Sequence, residues 1–449
     1  MNKTEISRRK FLGGTGSLAL ALPLASLPVA AQELNNNPHN LATTRPAAFP
    51  YRQLPVRQRG STVIPVDPPT DGVSDCGPAI QAAIDALPED GGTVLVRYHQ
   101  TGNSTDCVYM IDTSVNVEDS GQHPHYGLKL RSNMLLQFEP RVQLQAMPNN
   151  LSRAYVLYLV NCHDVEIANG SIIGERYTHT RSGSGTDEWG YGIAIAGSTQ
   201  VTVRSTHVSA FEGDGISIAR AGTPTIVSTD VVIWDVVCSN NRRQAVSITS
   251  GDHLYFLDST FSDTHGTAPS DGIDIEGSVS NVWIDNCIIQ NNQGNGVEVN
   301  GSSGNYQISN INITNCVLSG SYSGIYLAGR KTSSIDGGTF YGNAIYHNWS
   351  EGIHFGGPTT TNFSIGGTSA CDPRNNSFAN NLVADSQMMS PLSANAQKQG
   401  YVPGADMFVA DPTLEPAQNN VIGWNFYYSP DASYTGANVH PCDGLPFQR

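Results

Sequence analysis

The sequence predicts an all-β chain wound as a single-stranded right-handed parallel β-helix, a solenoid, with a short N-terminal capping helix. Three observations predict it. A segment of the form Gly, aliphatic, variable, aliphatic recurs with its first position at residues 192, 215, 245, 272, 296, 324 and 352, Ala standing at 245. A second alternating unit falls between the copies, as Val201–Val203, Leu254–Phe256, Val282–Ile284 and Ile311–Ile313. No helix-length periodic segment separates these units, which argues against a sheet of strand–helix–strand repeats.

The intervals between the seven positions 192 to 352 are 23, 30, 27, 24, 28 and 28 residues. Coils of that length, each with two or three short strands, fit a β-helix, whereas propeller blades run about 40–50 residues. Period-two alternation puts one face of each strand in a core and the other outside. Composition agrees. The chain has 449 residues, 45 of them Gly, and only 14% are charged. Many short strands joined by turns need such a chain, and an all-α protein does not.

The elements follow in order. Ser7-Arg8-Arg9-Lys10-Phe11-Leu12, an apolar run to Leu27 and the small residues Val29-Ala30-Ala31 read as a twin-arginine export signal over 1–31. That places the mature protein in the periplasm or beyond, with no membrane span. Residues 32–60 read as an N-terminal arm. Asp71-Gly72 precedes Ile80, Ala83, Ile84 and Leu87, which are spaced for one helical face and suit a cap. The β-helix is expected over 61–365. Beyond it the repeat fades into a C-terminal tail or cap, 366–449. The eight cysteines include plausible disulfides Cys76–Cys107 and Cys371–Cys442, while Cys287 and Cys316 fall at equivalent inward places and read as packed thiols.

The register singles out a site. With the aliphatics inward, the variable position faces outward as Ala194, Ser217, Ser247, Asp274, Glu298, Tyr326 and His354. A second outward row contains Thr249, Glu276 and Asn300. Neighbouring coils lie about 4.8 Å apart, and alternate residues on one strand about 6.6–6.8 Å apart. Asp274, Glu276 and Glu298 therefore cluster on one exposed strip. Asp271 and Asp214 enter the same sheet, and Arg242 and Arg243 border it. His265 lies on the insert before Asp271, and Asp187-Glu188-Trp189 on the loop before Tyr191. An indole beside a carboxylate suits a sugar ring. Glu175, Arg176 and His179 occupy the same loop. Each of these groups taken alone reads equally as solvated surface.

Clustered carboxylates repel, which raises at least one pKa unless a cation compensates. One chemistry is acid–base glycoside hydrolysis, with carboxyls about 6.5–9.5 Å apart for inversion or about 5–5.5 Å for retention. The other holds Ca²⁺ on Asp271, Asp274, Glu276 and Glu298 and removes a uronate proton, with an arginine as base.

Asp71-Gly72, Ala79-Ile80-Gln81, Ala83-Ile84 and Gly91-Gly92, with the repeats to about residue 365, resemble the pectate-lyase-like β-helix superfamily. Ser270-Asp271-Gly-Ile-Asp-Ile-Glu276 resembles part of the polygalacturonase-type hydrolase pattern, which would make Asp271 a catalytic Asp. The next coil departs from that pattern, with Gly294-Asn295-Gly296 in place of Gly-Asp-Asp. The run from Arg242 to Gln244 also resembles β-helix polysaccharide depolymerases. Residues and resemblance together imply an exported polysaccharide-degrading enzyme with catalytic Asp271, Asp274, Glu276 and Glu298. Arg242, Arg243, Asp214, His265, Glu188 and Trp189 would bind substrate. A Ca²⁺-assisted lyase and a non-catalytic glycan-binding solenoid stand as alternatives. The net charge of −15 argues against nucleic acid as partner.

Overall fold

The computed structural model describes residues 53–371 except 70, 100–104, 119–122, 182–186, 301–304, 329–332, 347, 349–351, 357–359 and 367, together with strands at 407–409, 421–422 and 425–428. All of these belong to one compact unit, Asn40–Arg449. The export signal and the Cys371–Cys442 bridge lie outside the residues and side chains described.

The chain winds through three stacked ladders of strands. The first contains His125–Lys129, Arg153–Val160, Trp189–Ala196, Asp214–Ala219, Val297–Asn300, Ile325–Ala328 and Ile353–Gly356. The second contains Val63–Val66, Gly92–Val96, Met134–Phe138, His163–Ala168, Thr199–Arg204, Thr229–Trp234, Gln307–Thr314 and Ser334–Tyr341. Two long strands, Gln244–Leu257 and Ile273–Asp285, run through both ladders. The third ladder is built of shorter strands such as His207–Ser209, Val237–Ser239, Thr260–Ser262 and Ile288–Gln290. Pairing is parallel from coil to coil. The exception is the two-residue strand Asn116–Val117, which runs antiparallel to His125–Lys129.

The repeat does what its pattern predicts. Ile216, Val246, Ile273, Val297 and Ile325 stack in register. All five are fully buried, as are Ile218, Ile248, Ile275, Val299 and Leu327. Phe256, Phe261 and Phe340 fill the core between the other two ladders.

Corners impose two demands. The backbone must reverse direction, and inward-facing N–H groups must find partners. The first is met by residues in the left-handed region at equivalent positions: Ser205, Asp235, Asp258, Asn286 and Asn315 have φ of 49°, 55°, 48°, 55° and 54°. Asn and Asp tolerate that region better than other residues with a side chain. The second is met by buried side chains. Asn241 Oδ1 accepts the Phe211 N–H, Asn292 Oδ1 that of Thr264, and Asn348 Oδ1 that of Ser321. At another corner Ser198, Ser228 and Ser259 accept from Cys162, Ser198 and Val236.

The helix Gly77–Asp85 carries Pro78 in its first turn, where that residue is favoured, and buries Ile80, Ala83 and Ile84, with Leu87 just beyond. It packs on the strands Val63–Val66, Gly92–Val96 and His125–Lys129. The arm is more ordered in its role than its composition implies. Arg57 donates from Nε to Thr202 Oγ1 at 2.8 Å and pairs with Asp230 at 2.7 Å. Arg59 pairs with Glu166 at 2.7 Å. The described end of the arm, residues 53–60, therefore contacts the outer face of the second ladder through Arg57 and Arg59.

Two differences from expectation stand out. Cys76 and Cys107 are buried free thiols and not a disulfide. The Cys76 thiol instead donates to the Pro69 carbonyl at 3.2 Å, and burial pushes its pKa up to about 11. Cys287 and Cys316 are packed free thiols, as their position in the repeat requires. The winding also passes residue 365: strands Met407–Val409, Val421–Ile422 and Asn425–Tyr428 continue all three ladders. The Gly–aliphatic signature is missing there, so the repeat is not legible in the sequence.

Asn292→Ala would strip the Thr264 N–H of its acceptor and the Phe261 carbonyl of a donor. A buried unpaired group costs about 1–3 kcal/mol. Urea unfolding should show a lower midpoint with an unchanged slope. An unchanged midpoint would deny these corner bonds a structural role.

Candidate active site

Two outward positions precede the second aliphatic in each coil of the first ladder, three residues apart. A kink at the intervening Gly turns that Gly and the next aliphatic inward together. At Gly215 an added Cβ would strike the core thiol of Cys238 and the carbonyl of Ala245, and at Gly272 it would strike Ile289 and the carbonyl of Gly296. The first outward column reads Tyr126, Tyr155, Tyr191, Asp214, Gln244, Asp271, Asn295 and Ser323. The second reads Lys129, Tyr158, Ala194, Ser217, Ser247, Asp274, Glu298, Tyr326 and His354. Register pairs Ser247 with Asp274, Asp274 with Glu298, Glu298 with Tyr326, and Tyr326 with His354.

The acidic cluster forms, but it is not the exposed strip that alternation predicts. Asp214 and Asp271 are fully buried and Asp274 is 3% exposed, while the Glu276 side chain keeps 34% of its exposure. Asp271 is wedged against the next coil, where its Oδ1 takes the Asn295 N–H and a Cβ at Gly294 would meet the same oxygen.

Each carboxylate has its own donor. Asn295 N–H donates to Asp271 Oδ1, and Gln244 Nε2 to Asp274 Oδ2, both at 2.5 Å. Glu298 accepts from Asn295 Nδ2 and Asn300 Nδ2, both at 2.7 Å. Arg243 sits among the rest, 3.1 Å from Asp214 Oδ2, 3.7 Å from Glu188 Oε2 and 3.9 Å from Glu276 Oε1.

Four of the ten sequence-derived residues land differently. Arg242, next to Arg243, turns away and pairs with Glu212 at 3.0 Å, which Arg181 also clamps. The two lie in the bend just before the strand Gln244–Leu257, where the backbone sends one to each side, so only Arg243 serves the cluster. His265 is exposed, and its Nδ1 faces its own loop at Asp263 O, 2.9 Å away. Trp189 is 38% exposed on the same strand as Tyr191 and is covered on one face by the Arg153 guanidinium at 4.7 Å. Asp214 is part of the acidic core and not a peripheral contact. Among the described residues no three His, Cys, Asp or Glu side chains gather to hold a metal ion. Glu175 and His179 form a buried pair at 3.3 Å, and Arg176 anchors the Asn240 and His265 carbonyls.

Sequence reasoning missed Gln244, Asn295 and Asn300. They occupy the same outward columns as the acids, and that column position is the signal that would have found them. Their oxygens Gln244 Oε1, Asn295 Oδ1 and Asn300 Oδ1, with Asp271 Oδ2, are buried and lack hydrogen-bond donors among the described residues.

The family model for the right handed beta helix region matches residues 99–284 and 184–340, together more than half of the chain. The chain belongs to the right-handed beta helix family. Uncharacterized protein YclG of Bacillus subtilis (strain 168) is 31% identical to this β-helix over 179 residues, 38% of the chain and 31% of the relative. The SPbeta prophage-derived uncharacterized protein YorA of the same organism is 28% identical over 255 residues, 52% of the chain and 43% of the relative. The chain thus aligns with less than half of either relative. A solved structure, the Dettilon tailspike protein, superposes with a TM-score of 0.52 at 14% identity, covering 82% of this chain and 62% of that one. That likeness is one of fold. Among the described residues no helix is long and apolar enough to cross a membrane.

The electrostatics of the β-helix follow from burial. Burial raises the Asp271 pKa well above the carboxylate range, reinforced by Glu298 and Asp274, and raises that of Asp274, reinforced by Glu276 and Glu298. Asp214 is pushed up to about 7, burial and the charges of Glu276 and Glu188 outweighing Arg243. Burial pulls Arg243 down, yet Asp214, Tyr191, Asp274 and Glu276 carry it net above its ordinary value.

A carboxyl raised on folding binds more protons in the native state than in the unfolded one. Its stabilising effect is present below the unfolded pKa near 4 and lost as pH rises through the folded value. Asp271→Asn and Asp274→Asn should therefore melt higher than the parent at pH 7–8, by about 1 kcal/mol or more of stability. The difference should vanish near pH 4. Thermal unfolding across pH checks it, and equal melting curves at pH 8 would contradict the buried, protonated assignment.

Proposed function

We propose that this chain is an exported glycoside hydrolase acting on an extended polysaccharide laid along the first ladder. One observation carries the reading: buried, proton-retaining Asp271 and Asp274 converge with Glu276 and Glu298 around Arg243 on one outer face. Hydrolysis of an acetal needs a carboxylic acid to protonate the leaving oxygen and a carboxylate to activate water. Asp274 supplies the proton, because burial and its acidic neighbours keep it protonated. Glu276, two residues along the strand and the most open member, reaches water and takes its proton. The glycosidic C–O bond breaks, the proton from Asp274 goes to the departing hydroxyl, and water's oxygen joins the sugar carbon. Their strand separation of about 6.6–6.8 Å falls in the inverting range.

The four buried oxygens without donors suit a polyhydroxylated ligand, whose hydroxyls donate. Arg243 supports the hydrolase reading over elimination. A lyase would need an arginine base, and the surrounding carboxylates hold the Arg243 proton more tightly than usual. The excess of carboxylates also favours an uncharged sugar ring at this point.

Asp274→Asn and Glu276→Gln should each lower turnover by about 10²–10⁴-fold on whichever polymer of a broad panel the parent cuts. New reducing ends should appear without the ultraviolet absorbance of an unsaturated uronate. Growth of that absorbance would overturn hydrolysis, and full activity in both variants would overturn the site.

A further inference from the structure

Upstream of the acids the same two outward columns carry aromatic rings. Tyr126, Tyr155 and Tyr191 pair in register through three successive coils, and Tyr158 stands beside them in the second column. The rings form a continuous run. Tyr155 and Tyr191 stack at 5.0 Å and 3° between planes, Tyr155 and Tyr158 lie 5.4 Å apart, and Tyr158 and Tyr126 5.7 Å apart. The cluster packs mainly on itself with Ala194. Tyr155 and Tyr158 are buried, at 6% exposed each, and Tyr126 and Tyr191 remain half-buried.

This run is separate from the main core and lies on the face where the other coils carry Ser, Asp or Gln. It is also continuous with the acids, since Tyr191 is followed in its column by Asp214 and Tyr158 is followed by Ala194, Ser217, Ser247 and Asp274. Three small residues, Ala194, Ser217 and Ser247, separate the rings from Asp274 along this column. The step from coil to coil, about 4.8 Å, is close to the advance of one pyranose unit along an extended chain. Cations mark the rim: Lys129 Nζ lies 6.0 Å from the Tyr126 ring and Arg153 lies 4.7 Å from that of Trp189.

We propose that Tyr126 and Tyr191, backed by the buried Tyr155 and Tyr158, form an aromatic platform that holds sugar rings of the glycan on the N-terminal side of the acids. The platform rests on the polysaccharide reading above and sets the direction in which the chain lies. Pyranose C–H faces pack on the aromatic surface that stays exposed.

The test is affinity electrophoresis of the full chain in gels containing arabinoxylan, galactomannan, mixed-linkage glucan, polygalacturonate, alginate or hyaluronan. The parent, Tyr126→Ala and Tyr126→Trp are compared, and folding is checked by melting. We expect at least one polymer to retard the parent. Tyr126→Ala should bind it about three- to tenfold more weakly, and Tyr126→Trp should restore binding. Equal retardation of Tyr126→Ala and parent overturns the platform, and if the parent still cuts that polymer the hydrolase reading stands. Retardation that depends on Tyr126, without cleavage, removes the hydrolase reading and keeps the platform. Failure of Tyr126→Trp to restore binding assigns Tyr126 a structural role only. Retardation by none of the six polymers overturns both.

Discussion

The structure depends on coil-to-coil register, and the register is held at the corners. A strand of four or five residues contributes few bonds, and its side-chain pattern alone would allow a slip of two. The buried corner groups do not allow it. Asn241, Asn292 and Asn348 each accept a backbone N–H of the preceding coil from inside a dry core. Shifting any coil would leave these donors unpaired, at a cost of about 1–3 kcal/mol each. The left-handed Asn and Asp residues at the outer corners fix the same positions from the other side. Two weak preferences repeated down the stack thus make one strict alignment, and every column statement about Asp274 or Tyr191 follows from it.

Given that alignment, the acidic cluster is a local exception to the economy of the fold. Some outward positions of the first ladder carry small uncharged residues, such as Ser217 and Ser247. Asp214, Asp271, Asp274, Glu276 and Glu298 instead place mutually repelling carboxyls there, three of them buried. The surrounding donors divide the load: Gln244 serves Asp274, Asn295 serves Asp271 and Glu298, and Asn300 completes Glu298. Arg243 neutralises only part of the charge, so protons must balance the remainder. A site that stores protons at neutral pH is what acid catalysis needs, and stability near neutrality is reduced for the same reason.

The fold was legible in the sequence because Gly-Ile-x-Ile states its own period, and Asp274 opposite Glu298 followed from counting alone. Burial was not legible. Alternation says which way a side chain leaves the strand but not what packs against it, and nothing in the letters shows Gly294 and Asn295 closing on Asp271. The kink at Gly was hidden too, since it makes Asp271 and Asp274 share a face at a spacing of three, where simple alternation places only Asp274. Arg242 and Arg243 look equivalent as letters. Only the turn of the backbone sends one to Glu212 and the other to Asp214. The supposed Cys76–Cys107 bridge failed for a similar reason, because sequence position cannot show that Cys76 turns its thiol to a carbonyl.

The arrangement of the two columns argues for a direction in the molecule. On the N-terminal side the first ladder offers stacked rings, in the middle small residues and carboxyls, and on the C-terminal side Tyr326 stacked on His354 at 4.4 Å. The face is therefore graded from apolar to acidic and back to aromatic within about nine coils of one ladder. A solvated wall meant only to block edge pairing has no reason for such grading, since scattered charges would serve as well. Rings on either side of a proton donor do have a reason when the partner is a chain longer than the donor's own reach. On the proposed reading, flanking contacts fix which bond sits over Asp274.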